Sequence, residues 1–575
     1  MTEQHVAPPA PRFAGWLIEP MQRNRGVYIK VALAAAMINL FGLITSLFTM
    51  TVYDRVVPNS AFSSLTALSI GLAVVIVFDF LLRILRAYFV DLAGADIDHD
   101  IAGRVFNRLI NIRLDTRRGS TGALTGMMRE LETLRDFFAS ATLTAVVDVP
   151  FIIVTLIFIA ILGGAVVYVP LAAIPIVVGA GWLTRPALDR LSAKSMNEGL
   201  NKQSVLVETI GALEMVKTSG ASALLGKRWK RANGAHSDSS MRQRLVSTIA
   251  VTVAASVNTL AYAGTVIVGV FLIADNRMTT GALIACSILS GRAVQPLAQI
   301  AQLLTRLSAT RTAYRQINTM MEAAPEGPAT GALKPAYFKG RIEMRGVEFR
   351  YPGASEKTLD DLNLTIEAGQ KVGMLGRVGS GKSTIARLIL GLYQPQEGLI
   401  MIDGTDIRQY DQRAMRAKIG TALQDSVLLS GTVRENIILG REGIDDEEML
   451  RAARLTGAHG FMGQIANGYD LVLADRGESM SGGQRQSIAL ARALAGSPPL
   501  LIFDEPTSAM DSASEAELIE RLAVELQDRT FVLITHRPAL VRLVDRLLVI
   551  DKGKVVADGP RDLILQQLQR PVAAA

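Results

Sequence analysis

The sequence predicts a multidomain chain: a helical transmembrane domain of six spans, then an α/β domain built around a phosphate-binding loop. Three observations lead there. Long apolar runs recur up to about residue 300, the texture changes past Met320, and Gly376-Arg377-Val378-Gly379-Ser380-Gly381-Lys382-Ser383 stands between a strand-like and a helix-like run. Composition agrees: of 575 residues, 49% are hydrophobic and 20% charged, and the mean hydropathy is +0.29. A positive mean over so long a chain argues against a fully soluble protein, and near-ordinary Gly and Pro usage excludes collagen-like or disordered chains. The single cysteine permits neither an intrachain disulfide nor a multi-cysteine metal site. The net charge of +7 fits basic cytoplasmic flanks, and no nucleic-acid partner is expected.

A span needs about 20 apolar residues. Runs of that kind lie at 31–52, 65–85, 143–162, 165–183, 248–273 and 281–301. Short linkers, such as Gly163-Gly164 and Asp275-Asn276-Arg277, join the members of each pair. The gaps after the second and fourth spans are about sixty residues long, polar and helix-forming. The second gap carries Lys227-Arg228-Trp229-Lys230-Arg231, which places the long gaps and both termini in the cytoplasm. Some thirty mixed residues precede the first span, so no cleaved signal peptide is expected. The division is a tail at 1–27, a transmembrane domain at 28–318, a Pro/Gly/Ala linker at 319–338, a nucleotide-binding domain at 339–566 and a tail at 567–575.

Beyond the linker, 341–351 and 359–366 alternate as strands. The runs 371–375, 500–503, 531–534 and 547–550 are apolar throughout, the pattern of buried strands with helices between. In the phosphate loop, Gly376, Gly379 and Gly381 let backbone amides turn inward on phosphate oxygens, with Ser380 and Thr384 in the same cradle. Lys382 reaches the β and γ phosphates and Ser383 ligates magnesium. Leu500-Leu501-Ile502-Phe503 ends in Asp504-Glu505, at the strand edge where an α/β sheet offers ligands. Asp504 holds magnesium through water, and Glu505 polarises the attacking water. His536 ends another apolar strand, placed to touch the γ-phosphate. The expected cofactors are ATP and Mg2+.

The residues around these motifs carry a family resemblance. Met480-Ser481-Gly482-Gly483-Gln484 resembles the signature of ABC transporter ATPases, whose usual form begins with Leu, and the likeness covers 340–566. It implies an α/β P-loop ABC ATPase domain. Tyr351 becomes the adenine-stacking aromatic, Gln424 the Q-loop glutamine at the catalytic and metal centre, Asp511 the D-loop aspartate and His536 the switch histidine. Asp475-Arg476-Gly477 stands where exporters usually carry Glu-Arg-Gly, and it keeps the charge class. In this family Ser481, Gly482, Gly483 and Gln484 of one subunit would complete the ATP site of another, so a homodimer is implied. Six spans before one such domain resemble a type I ABC exporter half-transporter, with coupling helices at 122–129 and 211–217.

Motor motifs do not report cargo. However, Met50-Thr51-Val52-Tyr53-Asp54-Arg55-Val56-Val57-Pro58-Asn59 and the stretch 130–150 are similar to permease–ATPases of bacterial type I protein secretion, in the branch exporting repeat-in-toxin adhesins. That resemblance implies a secreted unfolded polypeptide as substrate, a membrane-fusion adaptor and an outer-membrane channel as partners, and residence in the bacterial inner membrane. The branch often begins with a peptidase-like domain, for which the residues before the first span are too few. A lipid or drug exporter on the same architecture is the alternative. Polar residues within spans are Asn39, Asp79, Arg83, Asp148, Asn258 and Arg292. Asp79 and Arg83, four apart, are expected to pair, whereas Arg292 has no evident local acid and lines either a cavity or an interface.

Overall fold

The computed structural model describes residues 14–116, 120–137, 142–328, 331–441 and 443–569. Of the segments singled out in the sequence, parts of both tails (1–13 and 570–575), of the linker (329–330) and of the 130–150 stretch (138–141) lie outside them. The chain forms two compact units. One comprises Met1–Ile110 with Arg118–Glu322, the other Asn111–Arg117 with Ala323–Ala575.

Among its described residues the first unit is helical: α1 (Gly15–Arg23), α2 (Arg25–Thr51), α3 (Val57–Asn59), α4 (Phe62–Ile110), α5 (Thr121–Asp136), α6 (Thr142–Gly163), α7 (Tyr168–Gly211), α8 (Leu213–Thr218), α9 (Ser222–Ala274) and α10 (Thr280–Glu322). Four stretches, Arg25–Asn59, Phe62–Ile110, Asp148–Gly211 and Ser222–Ala274, are long and apolar enough to cross a membrane. The third contains a reversal. Gly164, at φ +51°, opens a 3-10 turn between α6 and α7. Against α10, α6 runs backward, with Gly163 beside Cys286 and Ile152 in one core with Val294. Along α7 the sense is opposite: Ala173 and Val177 share that core, and Asn197 accepts from Gln316 at 3.1 Å. The expected sixth span, 281–301, lies in α10, which is not one of these four stretches; the arrangement is consistent with six spans.

The long polar gaps are helical, as expected. At 49 and 53 residues, α4 and α9 reach about 75–80 Å, far beyond a hydrocarbon core of about 30 Å. Further segments singled out in the sequence are also helical. Residues 15–23 of the predicted tail form a helix, because Leu17 is fully buried and Trp16 donates its indole N–H to Asn318 at 3.0 Å. The segments expected as coupling helices are helical, 122–129 within α5 and 211–217 across the end of α7 and most of α8; α5 packs closely on its neighbour. A Cβ on Gly122 would stand 2.5 Å from Ser204 Cα of α7, and one on Gly126 would stand 2.6 Å from Leu200. The helix before α5 ends at Ile110. Asn111–Arg117 belongs to the second unit, with Asn111 accepting from Glu326 N at 3.0 Å and from Arg413 at 2.9 Å.

The second unit contains β1 (Ile342–Phe349), β2 (Leu359–Ile366), β3 (Lys371–Leu375), α11 (Lys382–Ile389), β4 (Glu397–Ile402), β5 (Thr405–Asp406), α12 (Gln412–Ala417), β6 (Ile419–Ala422), β7 (Gly431–Thr432), α13 (Val433–Ile438), α14 (Asp446–Leu455) and α15 (Ala458–Met462). There follow β8 (Val472–Leu473), α16 (Gly482–Leu494), β9 (Leu500–Asp504), α17 (Ser512–Glu525), β10 (Thr530–Ile534), β11 (Arg546–Asp551), β12 (Lys554–Pro560) and α18 (Arg561–Gln569). The alternating strands β1 and β2 pair antiparallel in a four-stranded sheet of order β2-β1-β4-β5. The apolar strands enter a six-stranded sheet of order β12-β11-β3-β10-β9-β6, in which β9 and β10 are buried at every residue. Strands covered on both faces need no alternation, which is why their sequences show none.

Candidate active site

Strand direction assembles the site. In the larger sheet β11, β3, β10, β9 and β6 are mutually parallel. Their C-terminal ends therefore share one edge, the edge at which such sheets bind ligands. There β3 runs into the phosphate loop, β9 ends at Asp504 before Glu505, and β10 leads into Thr535 and His536. Gln424 stands two residues past β6, exposed, and makes no hydrogen bond among the described residues.

The loop requires glycine at two positions. Gly376 has φ +153°, and a Cβ there would sit 2.1 Å from the Ile550 carbonyl oxygen. Gly381, at φ +106°, starts α11 with Leu359 Cδ2 2.7 Å from any added Cβ. Gly379, at φ +82°, faces open space. Lys382 curls over this turn, donating to the carbonyls of Gly376 at 2.8 Å and Arg377 at 2.9 Å, with the buried Ser380 hydroxyl at 3.4 Å. Burial lowers the lysine pKa, and the charges of Asp504 and Glu505 oppose that shift. Thr384, also buried, places its hydroxyl 3.1 Å from that of Tyr351, which accepts from Arg387 at 3.0 Å. The Tyr351 ring stands edge-on to Phe349 and Tyr393.

Asp504 is 3% exposed, and its Oδ1 is buried without a partner. Burial pushes its carboxyl pKa up; a hydrogen bond with Ser383 works against that rise, and the Glu505 charge adds to it. An unpartnered carboxylate oxygen beside a hydroxyl fits a hard cation. Mg2+ usually takes one or two carboxylates and completes its shell with water and substrate phosphates. No group of three His, Cys, Asp or Glu side chains among the described residues could hold a metal. Ser383 and Asp504 thus suit an ion that arrives with a phosphate substrate, whereas no contact joins Gln424 to either of them among the described residues.

Glu505 adopts φ +52°, a left-handed conformation costing a non-glycine residue about 1–2 kcal/mol. Its N–H donates to Ile534 O at 2.8 Å, tying it to the end of β10. The carboxylate meets His536 Nδ1 at 2.6 Å through Oε1 and the Thr535 hydroxyl at 3.5 Å through Oε2. The His536 side chain is 77% exposed, leaving the rest of its ring accessible. One organiser escaped the sequence reading. Gln486, 3% exposed, donates to Glu505 O and Ser508 Oγ, both at 3.1 Å, and accepts from Ala509 N at 2.9 Å. Its only signal is its place two residues past Gln484.

The structure brings Lys382, Ser383, Asp504, Glu505 and His536 together. The signature residues and Asp511 have local partners instead. Ser481 accepts from Gln484 N at 3.2 Å while its own N–H donates to Gln484 Oε1 at 2.9 Å, a capping box on α16. Gly482 and Gly483 let Ala509 approach that helix start, with Cβ contacts of 3.3 and 3.1 Å if side chains were added. Asp511 caps α17, accepting from Ala513 N, Ser514 N and the Ser514 hydroxyl. The Ser514 bonds in particular hold its pKa below the ordinary aspartate value.

Two family models match, one described as ABC transporter over residues 359–508 and one as ABC transporter transmembrane region over 28–297. The leukotoxin translocation ATP-binding protein LktB of Pasteurella haemolytica-like sp. (strain 5943B) is 32% identical over 557 residues, spanning 96% of this chain and 78% of that protein. The toxin RTX-I translocation ATP-binding protein of Actinobacillus pleuropneumoniae is 32% identical over 556 residues, with the same coverage. A bacterial Atm1-family ABC exporter, solved with ATP bound, superposes with a TM-score of 0.85 at 25% identity, covering 96% of this chain and 99% of its own. The phosphate loop, paired carboxylates and histidine at one sheet edge, preceded by a many-helix membrane unit and matched nearly end to end, make this chain a member of the ABC transporter family, with its membrane region and ATP-hydrolysing domain in one polypeptide.

Proposed function

We propose that the protein is the permease and ATPase of a type I secretion system: a homodimer in the bacterial inner membrane, its ATPase domains cytoplasmic, that drives an unfolded polypeptide outward. One observation carries this reading. The likeness to the two toxin translocation proteins runs through the membrane region as well as the ATPase domain, and the membrane region is the part that meets cargo. A membrane-fusion adaptor and an outer-membrane channel would complete the route.

At the sheet edge, Lys382 would exchange the loop carbonyls for phosphate oxygens, and Tyr351 would stack on the adenine. Ser383, Asp504 and Gln424 would hold Mg2+, which supplies charge neutralisation to the phosphates when bound. Glu505 is the general base for the attacking water, held in place by its contact with His536 Nδ1. The accessible side of His536 would face the γ-phosphate. The second copy would contribute Ser481, Gly482, Gly483, Gln484 and Asp511. A helix start whose first residues are glycines leaves backbone N–H groups open to an anion, and the helix dipole favours negative charge there.

The test pairs two measurements. ATP hydrolysis in nanodiscs should respond to the unfolded C-terminal segment of the protein encoded beside this gene, and less to lipids or small amphiphiles. Co-expression with adaptor and channel should place that protein outside the cell. Secretion that persists without this transporter, or vectorial lipid movement with no polypeptide response, would favour the lipid or drug reading instead.

A further inference from the structure

We propose that a polar cavity within the membrane unit is a carboxylate-binding site, built around Arg292, for acidic side chains of an extended polypeptide. The proposal rests on the polypeptide-export reading and specifies which cargo chemistry the membrane helices recognise.

The cavity has a volume of about 250 Å3 and is lined from α2, α4, α6 and α10. Three guanidinium groups, of Arg83, Arg86 and Arg292, face it together with Asp148. Two of the three are matched. Arg83 pairs with Asp79 at 2.7 Å, the pairing expected from their spacing, and Arg86 lies 3.9 Å from Asp148. Asp148 is also held by Asn39, whose amide donates to it at 2.9 Å. Arg292 is the surplus cation, with no hydrogen bond or ion pair among the described residues. It lies twelve residues into α10, about 18 Å along the helix, near the middle of a span. A charge at such a depth is costly and commonly serves a function.

The surrounding chain is shaped to keep this group where it is. On α2, a Cβ at Gly42 would fall 1.5 Å from Arg292 Nη1 and 2.8 Å from Cζ. The guanidinium therefore rests against helix backbone that only glycine leaves bare. Guanidinium pairs with carboxylate through two parallel N–H donors, a geometry stronger and more selective than a point charge.

Two further features favour a peptide over a lipid phosphate. Gln295 and Gln299 also line the cavity, and their amides both donate and accept, as peptide groups require. A phosphate in its ionised form offers acceptors alone. The volume also falls below the roughly 300–1,000 Å3 of sites that engulf a whole small ligand, so it suits one side chain and its neighbouring peptide units.

The experiment uses the full chain in phosphatidylcholine nanodiscs and two synthetic unfolded polypeptides of equal length. One carries evenly spaced aspartates, and the other has asparagine at each of those positions. For the wild type, half-maximal stimulation of ATP hydrolysis should need about tenfold less of the aspartate polypeptide, a typical worth of one charge-assisted contact. Arg292→Gln should bring the two polypeptides to equal potency by weakening only the acidic one. Gly42→Ala, which keeps the charge but fills its resting place, should also narrow the ratio, and it decides the matter should Arg292→Gln fail to assemble. Equal potency in the wild type, or an unchanged ratio in the variant, overturns the carboxylate site and leaves the export reading standing. Failure of both polypeptides to stimulate the wild type overturns the export reading and this site with it. A parallel series in phosphatidylglycerol nanodiscs without polypeptide closes the last route: a lipid response that depends on Arg292 would assign the site to lipid phosphate and refute the peptide assignment.

Discussion

Glu505→Gln isolates chemistry from architecture at the sheet edge. The glutamine carbonyl oxygen can still accept from His536 Nδ1, where the carboxylate now does so at 2.6 Å, and its amide can donate to the Thr535 hydroxyl, 3.5 Å from Oε2. The N–H bond to Ile534 O belongs to the backbone and is untouched. Both residues bear the same left-handed cost at φ +52°, so the strain cancels between them. What is lost is the proton-accepting group alone. General-base removal typically costs about 10²–10⁴ in rate, so turnover should fall by at least about two orders of magnitude, or about 3 kcal/mol in the barrier. Nucleotide affinity should change little. Steady-state phosphate release and equilibrium binding of a fluorescent ATP analogue on the same preparation separate the two effects. Hydrolysis within about threefold of wild type would remove Glu505 from the base role, and a parallel loss of nucleotide binding would mean that the substitution disturbed the site's geometry.

Other perturbations test separate links. Gln486→Leu deletes the bonds to Glu505 O, Ser508 and Ala509; leaving the Ala509 N–H unsatisfied should cost about 1–3 kcal/mol, read as earlier thermal inactivation together with slower hydrolysis. Ser481→Arg and Lys382→Ala should each abolish hydrolysis alone, whereas mixing the two should restore it in dimers that keep one intact composite site. No recovery in cross-linked mixed dimers would refute either sites shared between subunits or the sufficiency of one site. Asp54 accepts from Gly281 N at 2.8 Å and Thr279 Oγ1 at 2.6 Å at the start of α10, so Asp54→Ala should lower membrane-unit stability by about 1 kcal/mol, visible as faster inactivation on warming in nanodiscs.

Motifs were legible wherever the chemistry is local. The loop 376–383 needs its glycines for backbone reasons that act within eight residues, and the strand ending at Asp504 announces itself by apolar residues followed by charge. Gln486 was not legible, because its partners lie 19–23 residues onward and meet it only when α16 packs beside the turn after β9. The Asp54 cap is a longer-range case. It joins residues 225–227 positions apart, from a π-helical turn at Val52–Val56 that composition alone does not mark.

The coupling segment expected at 122–129 shows how helix pattern and helix end differ as signals. Residues 122–129 contain Gly122 and Gly126, each of which disfavours a helix interior by about 1 kcal/mol. Four residues apart, however, they fall on one face, and that face lies against Ser204 and Leu200. Packing gained over the seam outweighs the propensity lost at two positions, so the helix continues. The helix end lies upstream, at 111–116, where Ile112 bridges Pro325 and Arg113 donates its N–H to Ala324 O at 3.4 Å. Those partners lie more than two hundred residues away. A turn held by them carries no composition of its own, because its partners at 324–326 come from a distant part of the same unit.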